Sequence, residues 1–232
     1  MKITVSSQYK KVFGEELLPL GFKLYKKTFY RVVGDVIQTL FLNNSDTMVD
    51  VEFNVLALCS GIKDLYCESM YSLAEAGQCS AWFACPVLDQ NALDSMLRVF
   101  RTHVKPLFEE CINSRCAYER LIQLSRKPGC SFAYDNVLAE FCLQSEEYEK
   151  ALCHWTVIAE KWRESYPGML ERHQNALAEY GMDVLWERTL KEYHEIIELE
   201  QKLKEKDTAY LQRYVVQKQL ISWETLKHPK YP

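Results

Sequence analysis

Residues 28–58, TFYRVVGDVIQTLFLNNSDTMVDVEFNVLAL, decide the fold. Thr28 to Val33 and Val36 to Leu42 are rich in β-branched and aromatic residues and meet at Gly34-Asp35, the composition of a tight hairpin. Asn43-Asn44-Ser45-Asp46 is turn chemistry. Beyond it, Val51, Phe53, Val55 and Ala57 alternate with Glu52 and Asn54, the pattern of a half-buried strand. Three successive strands predict an antiparallel meander.

Working outward, Tyr9, Val12, Phe13, Leu17, Leu18 and Leu20 recur at helical spacing. A helix is predicted over 6–20, with Ser6 or Ser7 as N-cap and Pro19 and Gly21 as its end. Residues 80–87 are the candidate fourth strand, ending at Pro86, and Leu65, Met70 and Leu73 suggest a short helix before it. From Asn91, the apolar stripe Leu93, Met96, Leu97, Phe100, Val104, Leu107 and Phe108 predicts a helix bent or restarted at Pro106. A helix on one face of a four-stranded antiparallel sheet would close an α+β domain over residues 1–110.

Residues 111–232 read as all-α. Helices are predicted over 115–124, ending at Lys127-Pro128-Gly129, and over 133–142 and 147–165 as a helical hairpin turning at 144–146. Pro167-Gly168 is expected to break the chain before a helix over 169–180. A long amphipathic run from Asp183 to about Leu226 follows, with Tyr193, Ile196, Leu203, Tyr210, Tyr214 and Ile221 near one stripe. Asp207 and Gln217 fall in that stripe, so it is expected to pack on its own domain; a homodimer through this terminal helix is the other use for it.

Leu20-Gly21-Phe22-Lys23, Thr28-Phe29-Tyr30-Arg31 and Gly34-Asp35-Val36-Ile37-Gln38, followed by Ser45, resemble the bacterial DUF4304 family over about residues 7–110. The family usually ends this succession with Gln-Lys-Ser, where this chain has Asn43-Asn44-Ser45. The resemblance implies a bacterial α+β domain and brings no activity with it. Leu138-Ala139, Glu147 to Leu152 and Trp155 are similar to a single tetratricopeptide-like hairpin at about 133–165, in which small Ala139 and Ala151 let two helices approach closely. An array would need several stacked copies, so a plain helical hairpin is the expectation.

The chain of 232 residues is 48% apolar and 26% charged, enough for a substantial core. Its amino end has no apolar signal run, and nine cysteines, an odd number in apolar company, suit reduced thiols, so a cytoplasmic location is expected. No apolar run reaches the roughly 18 residues of a membrane span. The net charge of -4 gives no reason to expect nucleic acid. That small number conceals an asymmetry. Residues 1–43 carry seven basic against three acidic residues, and residues 44–97 carry one against eight. A basic first hairpin interleaved with Tyr25, Phe29 and Tyr30 could serve an anion, although cross-strand charge pairing is the plainer use.

Signatures of nucleotide, hydrolase or metalloprotease sites are missing. His194-Glu195-Ile196-Ile197-Glu198 is an HExxE string without a further ligand, and Cys142, Cys153 and His154 lack paired ligand spacing. No metal or cofactor is expected. The leading expectation is therefore a non-catalytic, cytoplasmic bacterial protein-binding protein, inhibitor or immunity in type, meeting a protein partner through the sheet face or the acidic 44–94 segment. The alternative is a small hydrolase or transferase with its site in the cleft between the sheet domain and the helical region. Tyr30, Arg31, Asp35 and Gln38 are the candidate binding residues in either case.

Overall fold

The computed structural model describes residues 4–44, 48–65, 71–77, 82–83, 88–125 and 135–229. Helix α1 (Val5–Leu17) starts one residue before the predicted range, so Thr4 takes the N-cap place expected of Ser6 or Ser7. Thr4 is the N-cap, its hydroxyl accepting from Ser7 N while Ser7 Oγ accepts from Thr4 N, a reciprocal capping box. A 3-10 turn over Leu18–Leu20 holds Pro19, and Gly21 ends it in the left-handed region at φ 84°.

The sheet is antiparallel throughout and has six strands among the described residues: β1 (Lys23–Tyr25), β2 (Thr28–Val33), β3 (Val36–Asn44), β4 (Met48–Ala57), β5 (Tyr71–Ser72) and β6 (Trp82–Phe83). The first four pair in sequence order; β5 and β6 both pair with β4, at different points along it. The predicted meander is β2, β3 and β4. β1 is an addition that sequence reading missed, and the short helix suggested before the fourth strand is α2 (Leu73–Ala76), directly after β5. Of the predicted fourth strand only Trp82–Phe83 falls on described residues, and Met70, the Ser45-Asp46 turn and Lys127-Pro128-Gly129 lie outside them.

Register places Phe29, Leu40, Phe53 and Tyr71 side by side on one face. Helix α1 covers this row, with the Tyr9 ring centroid 5.5 Å from that of Phe29. So does the segment α3 (Gln90–Val99) to α4 (Lys105–Glu110), whose Phe100 and Phe108 rings meet Phe13 and Phe53 edge-on at 5.5 and 6.3 Å. Between α3 and α4 the helix widens into a π turn over Phe100–Val104, with Lys105 N donating to Phe100 O. Pro106, which has no N–H to donate, follows at once, so the predicted bend takes the form of this wide turn.

The helical half departs from the prediction in two places. Helices α5 (Ser114–Ser125) and α6 (Asp135–Gln144) fall close to expectation, but α7 runs unbroken over Tyr148–Tyr180 with Pro167 inside it. Pro167 is exposed, so water can satisfy the carbonyl it leaves without a donor. The predicted single terminal helix is two, α8 (Trp186–Lys204) and α9 (Thr208–Lys227). Lys206 turns the chain at φ 55° and the Asp207 carboxylate caps α9 by accepting from Tyr210 N. Its stripe packs within the chain: Leu199, Leu203 and Leu211 join Ala139, Cys142, Leu143, Ala151 and Trp155 in a second buried cluster.

The first cluster is not confined to the sheet half, because Ala117, Leu121, Val137, Leu138, Phe141 and Leu226 belong to it. Helix α9 thus returns to the end of β4. There Ser222 Oγ accepts from Ile62 N at 3.1 Å and Thr225 Oγ1 donates to Ile62 O at 2.7 Å. No helix among the described residues is long and apolar enough to cross a membrane.

Candidate functional site

The structure gathers three of the four candidate residues of the first hairpin. Arg31 and Gln38 face each other across β2 and β3, and Arg31 Nε donates to Gln38 Oε1 at 2.8 Å. The guanidinium also donates to Leu20 O and Phe108 O and lies 4.6 Å from the Phe22 ring centroid. Fully buried Gln38 donates through Nε2 to Phe108 O and Cys111 O, the carbonyls that close α4. Asp35, in the turn, accepts from Ser114 N and Ser114 Oγ at 2.8 Å each and so caps the start of α5. These contacts fasten the hairpin to the α4–α5 junction. Tyr30 lies on the other face of β2, 9% exposed, its phenol raised by burial.

A different set of ionisable groups surrounds open space. A cleft of about 990 Å³ lies between Ser60–Asp64, just past the end of β4, and helices α6 to α9. Its apolar wall is Trp155, Ile158, Trp162 and Ile196. Trp155 is fixed by its indole N–H donating to Ile196 O at 3.0 Å. Glu140 enters from α6, Glu195 from α8, and Tyr214 and Lys218 from α9. The Lys218 ammonium pairs with Glu195 Oε1, which also accepts from the Tyr214 hydroxyl at 2.9 Å. Gly61, at φ 64°, lets the Lys218 stem cross the chain here, since a Cβ would stand 2.8 Å from Lys218 Cδ.

Glu140 is held differently. Ser60 Oγ donates to its Oε2 at 2.5 Å, and among the described residues its other oxygen has no hydrogen-bond partner. Burial pushes its carboxyl from the ordinary 4.5 up to about 7, against the pull of the Ser60 hydroxyl and the Lys218 charge, with Glu195 adding to the rise. At Glu195 burial also works upward, but the Lys218 ammonium and the Tyr214 hydroxyl outweigh it and hold the carboxyl below its ordinary value. Burial, then the Glu195 charge, raise the Tyr214 phenol. Two carboxyls in one cleft therefore have opposed proton affinities.

The other motifs singled out in the sequence are placed as follows. His194 and Glu198 of the HExxE string are exposed on α8, and Glu195 and Ile196 between them line the cleft. No group of three or more potential metal ligands occurs among the described residues. His154 reaches Asp135 Oδ1 through Nδ1 and the Tyr118 hydroxyl through Nε2, 3.2 Å each. Burial raises the Cys111 and Cys142 thiols to about 12 and the Cys59 thiol well above the usual range, so thiolates are disfavoured at all three.

Sequence reading missed Ser60, Glu140, Lys218 and the two tryptophans of the cleft wall as a set, because they come from four separate segments. One signal was present: Glu140 is a lone carboxyl inside the apolar run Val137-Leu138-Ala139-Glu140-Phe141-Cys142-Leu143. Comparisons with protein-family models, with curated proteins and with solved structures found no match for this chain.

Proposed function

We propose that this chain is a non-catalytic binding protein that seats a segment of a protein partner in the cleft between Ser60–Asp64 and helices α6 to α9. The observation that carries the reading is the composition of the cleft: tryptophan and isoleucine walls with ion-paired groups around them, the anatomy of an apolar interface core with a polar rim. A bacterial setting, implied by the DUF4304 resemblance of residues 7–110, and a cytoplasmic one, expected from cysteines suited to the reduced state, belong to the same proposal. The test compares proteins retained from bacterial cytosol by the immobilised full-length chain, by Trp162→Ala and by Leu220→Ala, the last on the exposed face of α9. A partner held by the wild type and by Leu220→Ala should bind Trp162→Ala at least about tenfold more weakly, the size of effect expected for a tryptophan anchor. Equal retention by Trp162→Ala, or a partner retained by none, overturns the proposal.

The opposed proton affinities of Glu140 and Glu195 favour a second reading, a hydrolase that uses Glu140 as general acid. Turnover of chromogenic esters or glycosides by the wild type, lost in Glu140→Gln, would support it; equal rates in the two proteins would sink it.

A further inference from the structure

The charged groups of the cleft are uneven in number and in how they are matched. Five carboxyls line it (Asp64, Asp135, Glu140, Glu192 and Glu195) against four cations. Glu195 holds Lys218, Asp135 holds Lys161 at 3.2 Å and Glu192 holds Arg188 at 2.9 Å. Lys63, the fourth cation, is exposed. Glu140 has no cation within ion-pairing distance among the described residues and one oxygen free of hydrogen bonds. The same cleft is walled by Trp155 and Trp162, and by Tyr214, whose ring already has the Lys218 ammonium 5.2 Å from its centroid. An unmatched carboxyl among aromatic faces is the arrangement that recognises an ammonium ion, attracted by the carboxylate on one side and by the ring quadrupoles on the others.

We propose that the cleft seats an organic ammonium group against the Glu140 carboxyl, beside the indole side chains of Trp155 and Trp162. This rests on the binding reading above and gives its ligand a chemistry. The ammonium is either a lysine side chain of a partner segment or the amine of a free polyamine, which present the same charged group. Uptake is linked to a proton, because only ionised Glu140 pairs with the ligand. The groups facing Glu140 are Ser60 from the turn after β4, Glu195 from α8, and Lys218 and Tyr214 from α9, with the Cys59 thiol buried nearby. Of the ionisable ones, the phenol and the thiol are pushed upward and Glu195 downward, which leaves Glu140 as the group that changes charge near neutrality.

The test is calorimetric titration of the full-length chain with Nα-acetyl-lysine amide, with its Nε-acetylated counterpart, and with spermidine, at pH 6 and pH 8. With a carboxyl of about 7, the ionised fraction rises about tenfold between these values, and affinity for the amine should rise by the same factor. The amine probes should bind at least about tenfold more tightly than the acetylated probe, and Glu140→Gln should weaken them by at least about tenfold at pH 8, as expected on losing a charge-assisted contact. Tighter binding of the lysine probe assigns the site to a partner segment, and tighter binding of spermidine assigns it to a small amine. Equal affinity for amine and acetylated probes, no amine binding at pH 8, or affinity independent of pH overturns the proposal. The wild-type pH series needs no variant, so it stands even if a substitution disturbs folding. A partner lost on Trp162→Ala while the amine probes fail to bind would leave the cleft as the binding site and refute its ammonium chemistry alone.

Discussion

The first hairpin and the cleft are both rich in polar side chains, and they use them in opposite ways. At the hairpin, Arg31, Gln38 and Asp35 direct their hydrogen bonds to backbone groups at the close of α4 and the start of α5, and to each other. In the cleft, Glu140 has one hydrogen-bond partner and an open side. Buried polar groups that complete one another's hydrogen bonds hold a fold together, whereas a half-buried carboxyl with its hydrogen bonds left incomplete lowers stability and remains available to a ligand. Removing a polar group should therefore have opposite effects in the two regions.

The larger effect is expected at the hairpin. Gln38→Leu keeps the volume close but leaves the Cys111 carbonyl without its donor, the Phe108 carbonyl with only the longer bond from Arg31 Nη2, and Arg31 Nε without its acceptor. At about 1–3 kcal/mol for each buried group left unsatisfied, the variant should lose about 3 kcal/mol. That corresponds to a fall of about 10 °C in Tm for a chain of this length. Urea unfolding of both proteins provides the measurement. A loss below about 0.5 kcal/mol would mean that water replaces the glutamine. The hairpin would then be as open to ligands as the cleft, and the contrast between the regions would fail.

What could be read from the sequence follows the same division. The meander was legible because strand alternation and the Gly34-Asp35 turn are local signals, and they fixed the register that puts Arg31 opposite Gln38. Gly34 sits at φ 58° with Ile112 O only 2.5 Å from where a Cβ would be, so the turn residue also permits the approach of the α4–α5 junction. The misses cluster where the chain turns without glycine. Lys26 between β1 and β2 and Lys206 between α8 and α9 adopt φ values of 51° and 55°, a conformation their side chains do not advertise. The short strand β1 and the division of the terminal helix were hidden for that reason. Pro167 misled in the other direction, since an exposed helix face tolerates a missing N–H better than the interior does. The cleft was illegible as a unit, because α9 must fold back onto the end of β4 before Lys218 reaches Glu195, and no local pattern encodes that return.

In the cleft the expected effect is smaller and of opposite sign. Glu140 carries its proton up to about pH 7 in the folded chain, against about 4.5 when exposed to water. Below 4.5 it is neutral in both states and burial exacts no charge penalty. Between the two values the folded state binds more protons than the unfolded one, so stability falls as pH rises, and above 7 the full penalty of a buried carboxylate applies. Glutamine retains an oxygen to accept from Ser60 and carries no charge at any pH. Glu140→Gln should therefore match the wild type within about 0.5 kcal/mol at pH 4.5 and exceed it by about 2 kcal/mol at pH 8, somewhat under the 1.36 kcal/mol per pKa unit of the unscreened shift because the side chain is only half-buried. Urea midpoints of both proteins across pH 4.5 to 8 measure the divergence directly. Parallel curves would show that Glu140 is ionised and well solvated throughout, which removes both the stability difference and the proton linkage proposed for ammonium binding.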